Sequence, residues 1–176
     1  GAGLPLMGAS PDAVVWSPDG TLRPLEVKSA APFAEGGSTR KSSTYGKFTI
    51  RDPGPRFNVA SWHVPQLQAE MMCLGESCTS ALFLTSSATR GATILEVKRD
   101  AEYIESMLTL AHLFKMRFVD TNQPPEEDFW AHLPEYSAFL NRTLDIASSA
   151  TLVAQIKDSD VQRSTANTRF FLKGGS

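Results

Sequence analysis

A four-residue turn signal near the start of the chain, Ser17-Pro18-Asp19-Gly20, constrains the fold more than any other feature. Two short apolar-rich runs flank it, at residues 12–16 (DAVVW) and 21–29 (TLRPLEVKS). Proline sets one dihedral angle of such a turn and glycine accepts a positive φ, so the two runs are predicted to pair as a β-hairpin. Pro24 lacks the N–H that a central strand uses, so the second run is expected to be an edge strand, to contain a bulge, or to become regular only at Leu25.

The rest of the chain alternates between helical and strand patterns. The predicted elements are a helix over 62–74, strands over 79–86 and 92–99, a long helix capped by Asp100, and a helix opened by Pro124 and Pro125. Gly75 is placed to end the first helix, and Pro134 must bend or break the last one. The order indicates an α/β fold in which a single mixed central sheet is flanked by helices.

Composition favours an ordinary soluble globular protein. Apolar residues make up 41% of the 176 residues and charged residues 20%, and the length suits one compact domain. No apolar run approaches the ~20 residues that span a bilayer, so no membrane partner is expected. Cys73 and Cys78 have neither the spacing of a zinc site nor the density of a disulfide scaffold, which indicates a reduced, intracellular protein.

The hairpin predicts a cluster of charged side chains at one of its ends. Closure at the turn brings Asp12, at the start of the first strand, near Glu26 and Lys28 in the second. Asp19 stays in the turn. Carboxylates that converge at a strand end suit Mg²⁺ or Mn²⁺, and a neighbouring lysine can stabilise charge on a phosphate. The pattern indicates phosphodiester hydrolysis, and its alternative is an exposed strand face with surface ion pairs.

The letters LEVK occur a second time, at residues 95–98. No Pro-Asp pair precedes this copy at hairpin distance. Glu96 and Lys98 are therefore predicted to lie on an exposed strand face without a chemical role.

A basic loop separates the hairpin from the first helix. Its cations, interleaved with aromatic residues, are Arg40, Lys41, Lys47, Arg51 and Arg56. The formal net charge of -2 argues against a generally basic nucleic-acid binder, so this loop is the candidate contact to a phosphate backbone. A solvated surface loop is the alternative.

Three motifs in order, Ser10-Pro11-Asp12, Glu26-Val27-Lys28 and Gln66-Leu67-Gln68, are followed by two strands and Arg99-Asp100. This arrangement resembles the YqaJ-like viral recombinase and phage lambda exonuclease branch of the PD-(D/E)xK nucleases, over about residues 7 to 118. The resemblance implies a restriction-endonuclease-like core at 1–120. The helical pattern that Pro124 and Pro125 open predicts, beyond the range of the resemblance, a C-terminal helical extension at 121–176 that packs on the same domain.

The resemblance also implies roles for individual residues. The implied catalytic and metal-binding residues are Asp12, Glu26, Val27 through its carbonyl, Lys28 and Gln66. Glu70 follows Gln66 by one helical turn and is a weaker candidate for the same acidic cluster. His63 stands where the family commonly has an aromatic residue, and it is expected to be structural.

The activity implied by the resemblance is Mg²⁺-dependent hydrolysis of DNA, with Mn²⁺ able to substitute. A recombination-type 5′–3′ exonuclease is expected rather than an endonuclease, with a role in DNA recombination and repair. Its expected partners are DNA and further copies of the chain, together with either a missing N-terminal region or a single-strand annealing protein. Family members carry a leading helical region with a further site carboxylate, whereas eleven residues precede Asp12 here. The alternatives are a DNA-binding or assembly module that lacks a complete site, and another intracellular binding role.

Overall fold

The computed structural model describes residues 7–30, 52–87, 89–157 and 159. The strands are β1 (Ala13–Trp16), β2 (Leu22–Ala30), β3 (Ser80–Ser87), β4 (Gly91–Lys98) and β5 (Thr151–Ile156), and the α-helices are α1 (Val64–Leu74), α2 (Ala101–Phe114) and α3 (Pro134–Ser149). The described residues form an α/β fold with one mixed five-stranded sheet of order β1-β2-β3-β4-β5. None of their helices combines the length and apolarity needed to cross a membrane.

The predicted hairpin is present at the start of the described chain. β1 and β2 pair antiparallel, with Ala13 opposite Leu25. Gly20 has a φ of 81°, which glycine adopts without strain. Asp19 accepts hydrogen bonds from the backbone N–H and the hydroxyl of Thr21 at 2.9 and 2.6 Å, so this aspartate serves the turn, as predicted.

Pro24 departs from the expectation. β2 lies between β1 and β3 and is not an edge strand, and its pairing runs without a bulge through Pro24, which is opposite Val14. The residue is fully buried. The free energy gained by burying the apolar ring offsets the cost of the one hydrogen bond that proline cannot donate. This is why Pro24 is tolerated in an internal strand.

The helices α1 and α2 form where local signals predict them. Pro65 lies in the first turn of α1, and the helix ends at Gly75, whose φ is 95°. Asp100 caps α2 by accepting a hydrogen bond from the N–H of Tyr103 at 2.9 Å. Both boundaries therefore follow from the capping residues that the sequence shows.

The C-terminal part differs from the prediction in two ways. The helix expected after Pro124 and Pro125 begins only at Pro134, because a proline ring is tolerated at the start of a helix but not inside it. Residues 129–132 form a separate 3-10 turn. The segment Thr151–Ile156 was expected to be helical but is a strand, and all six of its residues are exposed.

Two compact units can be distinguished in the described residues. The first comprises the described residues up to Glu26 together with Asn58–Phe83 and Glu96–Thr151. Its core contains buried apolar side chains from α1, β3, β4 and α2, and its three α-helices pack against one another. The expected boundary between a core at 1–120 and an extension at 121–176 falls inside this unit, which contains both α2 and α3.

The second unit is held by hydrogen bonds to the backbone before α1. It comprises residues from Val27 to Phe57, Leu84–Leu95, and the chain from Leu152 onward, as far as these are described. Within it, the N–H of Arg56 donates to the hydroxyl of Thr85 at 2.8 Å, and that hydroxyl donates to the Arg56 carbonyl at 3.0 Å.

Candidate active site

Glu26 is a buried carboxylate in β2. Only 3% of this residue is exposed, whereas its apolar neighbours Leu25 and Val27 are half-buried. Transfer of a carboxylate from water to the protein interior costs on the order of several kcal/mol, unless the group is paired, protonated or bound to a cation. An exposed strand face, the alternative interpretation of this motif, is therefore wrong for Glu26.

Helix α1 contributes a second buried carboxylate. Glu70 is 0% exposed, and its Oε1 accepts a hydrogen bond from Nε2 of Gln66 at 2.9 Å. Its Oε2 is buried and has no hydrogen-bond partner in the part of the chain that the structure describes. Burial raises the pKa of Glu70 to about 7; the Gln66 hydrogen bond opposes this rise, and the nearby carboxyls of Glu26 and Asp12 add to it.

The effects of Glu26 and Asp12 on the pKa of Glu70 show that the three carboxyls lie close together, and we call Asp12, Glu26 and Glu70 the acidic cluster. The hairpin register explains the first two, because the pairing of Ala13 with Leu25 places Asp12 next to Glu26. Asp12 is exposed and the two glutamates are buried, so the cluster opens to solvent at Asp12. The sequence makes Glu70 only a weaker candidate, because the spacing of Glu70 from Gln66 does not report burial.

The acidic cluster has the electrostatics of a site that takes up positive charge. Carboxylates in contact at low dielectric do not all ionise, so one of them keeps a proton until a cation replaces it. Burial is the largest cause of the raised pKa of Glu70, and the nearby carboxyls of Glu26 and Asp12 raise it further. A proton on its Oε2 can donate a hydrogen bond to Glu26, which supplies the partner that the ionised oxygen lacks.

Val27 and Lys28 continue β2 directly after Glu26. Both are half-buried, and the boundary between the two compact units falls between Glu26 and Val27. The roles of the Val27 carbonyl as a metal ligand and of Lys28 as the catalytic lysine stay predictions.

The second copy of LEVK has the opposite electrostatic environment. Oε2 of Glu96 pairs with the ammonium of Lys98 at 2.8 Å, and its Oε1 accepts from the Ser80 hydroxyl at 2.9 Å and from Arg23 at 3.2 Å. The hydrogen bond from Lys98 holds the pKa of Glu96 below its usual range against the effect of burial, and Ser80 and Arg23 assist. Glu96 is half-buried rather than exposed, so that part of the prediction is wrong. Its cationic partners give it a structural role.

Helix α1 is anchored to the segment that joins β4 and α2. Gln68 is fully buried, donates to the carbonyl of Lys98 at 2.8 Å and accepts from the N–H of Asp100 at 3.0 Å. Nη1 of Arg99 donates to the carbonyl of Met71 at 2.7 Å. The hydrogen bonds at Gln68 and Met71 therefore fix α1 on either side of Glu70.

His63 has a packing role in the described structure. Its ring lies 4.9 Å from that of Phe83 in β3, measured between centroids. This agrees with the expectation that the residue is structural.

The basic loop lies mostly outside the described residues. The cations outside them are Arg40, Lys41, Lys47 and Arg51. Arg56 is described, and its side chain is exposed while its backbone is bonded to Thr85. Phosphate contact by this loop stays a prediction.

The described ranges contain no group of three or more His, Cys, Asp and Glu side chains arranged to hold a metal ion. The expected ligand set is smaller, with the carboxylates of Asp12 and Glu26 and one backbone carbonyl. Mg²⁺ is commonly bound through one or two carboxylates and keeps several waters, so the donor chemistry of this pair fits the ion. Beside this pair lies the buried Oε2 of Glu70, for which the described residues supply no hydrogen-bond donor.

Comparisons of the chain with protein-family models, curated proteins and solved structures found no match. The class that the structure defines is therefore an α/β protein with a partly buried acidic cluster.

Proposed function

We propose that the protein is a Mg²⁺-dependent deoxyribonuclease with a restriction-endonuclease-like core, in which Mn²⁺ can substitute for Mg²⁺. The observation that carries the proposal is the acidic cluster, in which buried Glu26 interacts with a second buried carboxyl at the open end of the hairpin. Burial of one carboxyl beside another is unfavourable unless a positive charge compensates it. A bound cation would supply that charge.

Each residue of the site has a distinct part in the proposed reaction. Asp12 and Glu26 would hold the cation together with the carbonyl of Val27. The bound ion would polarise a phosphoryl oxygen and lower the pKa of a water molecule. Lys28 would stabilise negative charge that develops on the phosphate. Gln66 positions the Glu70 carboxyl through the hydrogen bond between them.

The resemblance to recombination exonucleases supports a finer form of the proposal. In that form the enzyme degrades DNA from an end in the 5′–3′ direction, within recombination or repair inside the cell. A homo-oligomer and a single-strand annealing protein would be its partners.

A cleavage assay with linear and closed circular duplex DNA tests the proposal. With Mg²⁺, the native protein is expected to degrade the linear duplex from its ends and to leave the closed circle intact. Glu26→Gln should abolish cleavage, because glutamine has about the same size as glutamate but lacks the negative charge that would bind the cation. Glu96→Gln is the matched control and should retain cleavage, since that carboxylate pairs with Lys98 and Arg23. Full activity of Glu26→Gln would contradict the proposal.

A second candidate function is a DNA-binding or assembly module that retains the nuclease fold. The lack of a three-acid metal arrangement in the described residues favours it. Native protein that binds DNA yet cleaves neither substrate with Mg²⁺ or Mn²⁺ would support this second function.

A further inference from the structure

A short column of aromatic rings leads from the core of the first unit to its surface. Phe83 in β3 is 1% exposed, and the ring of His63 lies 4.9 Å from its ring. The indole of Trp62 follows, with its centroid 5.7 Å from that of His63. Trp62 is 68% exposed, so the column ends in an indole that lies mostly in water.

The indole stands at the start of the helix that leads to the acidic cluster. Trp62 belongs to the 3-10 turn Ser61–His63, which runs directly into α1. Gln66 follows it by four residues, about one helical turn, and bonds Glu70 one turn further on. Exposure decreases along this series from Trp62 through half-buried Gln66 to fully buried Glu70.

The ring contacts prepare Trp62 to receive a flat ligand. The contact with His63, which itself packs on a core phenylalanine, restricts the indole before any ligand binds, and this reduces the entropy lost on binding. The exposed indole contributes little to folding, because most of its apolar surface stays in water. An uncharged π face also suits a nucleobase near the acidic cluster, where carboxylates would repel a phosphate.

We propose that Trp62 is a stacking platform for a nucleobase of a single-stranded DNA end that approaches the acidic cluster. This inference rests on the proposed function, since it takes DNA as the ligand of that site. It adds a binding contact for the base, whereas the basic loop is expected to contact phosphates. Stacking of one base on an aromatic side chain contributes about tenfold or more to affinity and tolerates any sequence.

The test measures binding of a short oligothymidine in EDTA, so that no divalent cation and no cleavage are involved. Trp62→Ala is expected to weaken binding about tenfold, and Trp62→Phe to retain most of the affinity. Trp16→Ala is the matched control, because Trp16 is 72% exposed but lies at the turn end of β1 and not in the segment that runs into α1. An abasic oligonucleotide of equal length should bind native protein and Trp62→Ala equally.

Three results would overturn the stacking platform. They are native affinity of Trp62→Ala for oligothymidine, an equal loss with the abasic strand, and failure of the native protein to bind oligothymidine. Failure of the nuclease proposal is a separate outcome. If Trp62→Ala cleaves DNA with Mg²⁺ and binds oligothymidine with native affinity, only the stacking proposal is overturned. If the native protein binds oligothymidine through its bases but cleaves no DNA, only the nuclease proposal is overturned.

Discussion

The carboxyl groups of Glu26 in β2 and Glu70 in α1 interact directly inside the protein, and at most 3% of either residue is exposed. Two such groups ionise together only at a high electrostatic cost. The pair is therefore expected to respond to protons and to divalent cations. The following predictions concern both responses and the contacts that position the pair.

The native protein is expected to lose stability as pH rises, and Glu70→Gln is expected not to show this loss. The pKa of Glu70 is about 7 in the folded protein against an ordinary value of 4.5, so the unfolded chain releases this proton first. The stability that the protonated group contributes is fully present below about pH 4.5 and is lost as pH rises through about 7. The full shift corresponds to about 3 kcal/mol. Urea unfolding of both proteins between these pH values, without divalent cations, measures the difference. Parallel stability curves would contradict it.

Glu96→Gln is expected to lower stability while it leaves the acidic cluster intact. The variant loses the charge that pairs with Lys98 and Arg23, at a cost of about 1–2 kcal/mol for a half-buried group. Glu105→Gln, at an exposed position of α2, should change stability by less than about 0.5 kcal/mol. Urea unfolding at neutral pH compares the two variants. Equal stabilities would show that the ion pairs of Glu96 contribute nothing measurable.

The two copies of LEVK show how much a motif predicts. Within the sequence, the local difference between them is the Pro-Asp that precedes only the first. Lys98, within the motif, is the main partner of Glu96. The other neighbours are distant in sequence, since Arg23 and Ser80 reach Glu96 whereas Glu70 reaches Glu26. These neighbours depend on strand order and helix placement, which the letters themselves do not encode.

Gln68→Leu is expected to destabilise the fold and to disturb Glu70. The change leaves the Lys98 carbonyl and the Asp100 N–H without their buried partner, which costs about 2–3 kcal/mol. Movement of α1 should also bring the pKa of Glu70 back toward its ordinary range. Chemical denaturation and NMR titration of the Glu70 carboxyl measure the two effects. Gln123→Leu, at an exposed position, is the control. An unchanged Glu70 titration would show that Gln68 does not position the cluster.

The basic loop predicts a specific salt dependence of DNA binding. Lys47→Ala and Arg51→Ala are each expected to weaken binding uniformly across sequences. Each should reduce the slope of log affinity against log salt by about one unit, because one phosphate contact and its released counterions are lost. Metal affinity should not change. A variant with alanine at all five cationic positions and the native salt slope would show that the loop is only solvated.

Local signals predicted most of the elements that build the candidate site. Gly20 and Asp19 specify the turn, Gly75 ends α1 and Asp100 caps α2, and each acts through its own backbone or nearest neighbours. Pro24 could not be placed from sequence, because burial of its ring outweighs its missing donor only in the assembled sheet.

Burial was the information that sequence reasoning lacked elsewhere. The strand Thr151–Ile156 was missed because a six-residue run is too short for periodicity to separate strand from helix. Glu70 was found by its spacing from Gln66, but its raised pKa depends on its burial and on the nearby carboxyls of Glu26 and Asp12. The spacing of residues identified the candidates, and only the fold ranked them.

Calorimetric titration of Mn²⁺ into the native protein and into Asp12→Ala tests the central claim most directly. Asp12 is exposed, so the substitution removes a proposed ligand with little effect on folding. The native protein is predicted to bind Mn²⁺, and Asp12→Ala to bind it about tenfold or more weakly. Equal affinity of the two proteins, or no binding by the native protein, would contradict a metal site at the acidic cluster.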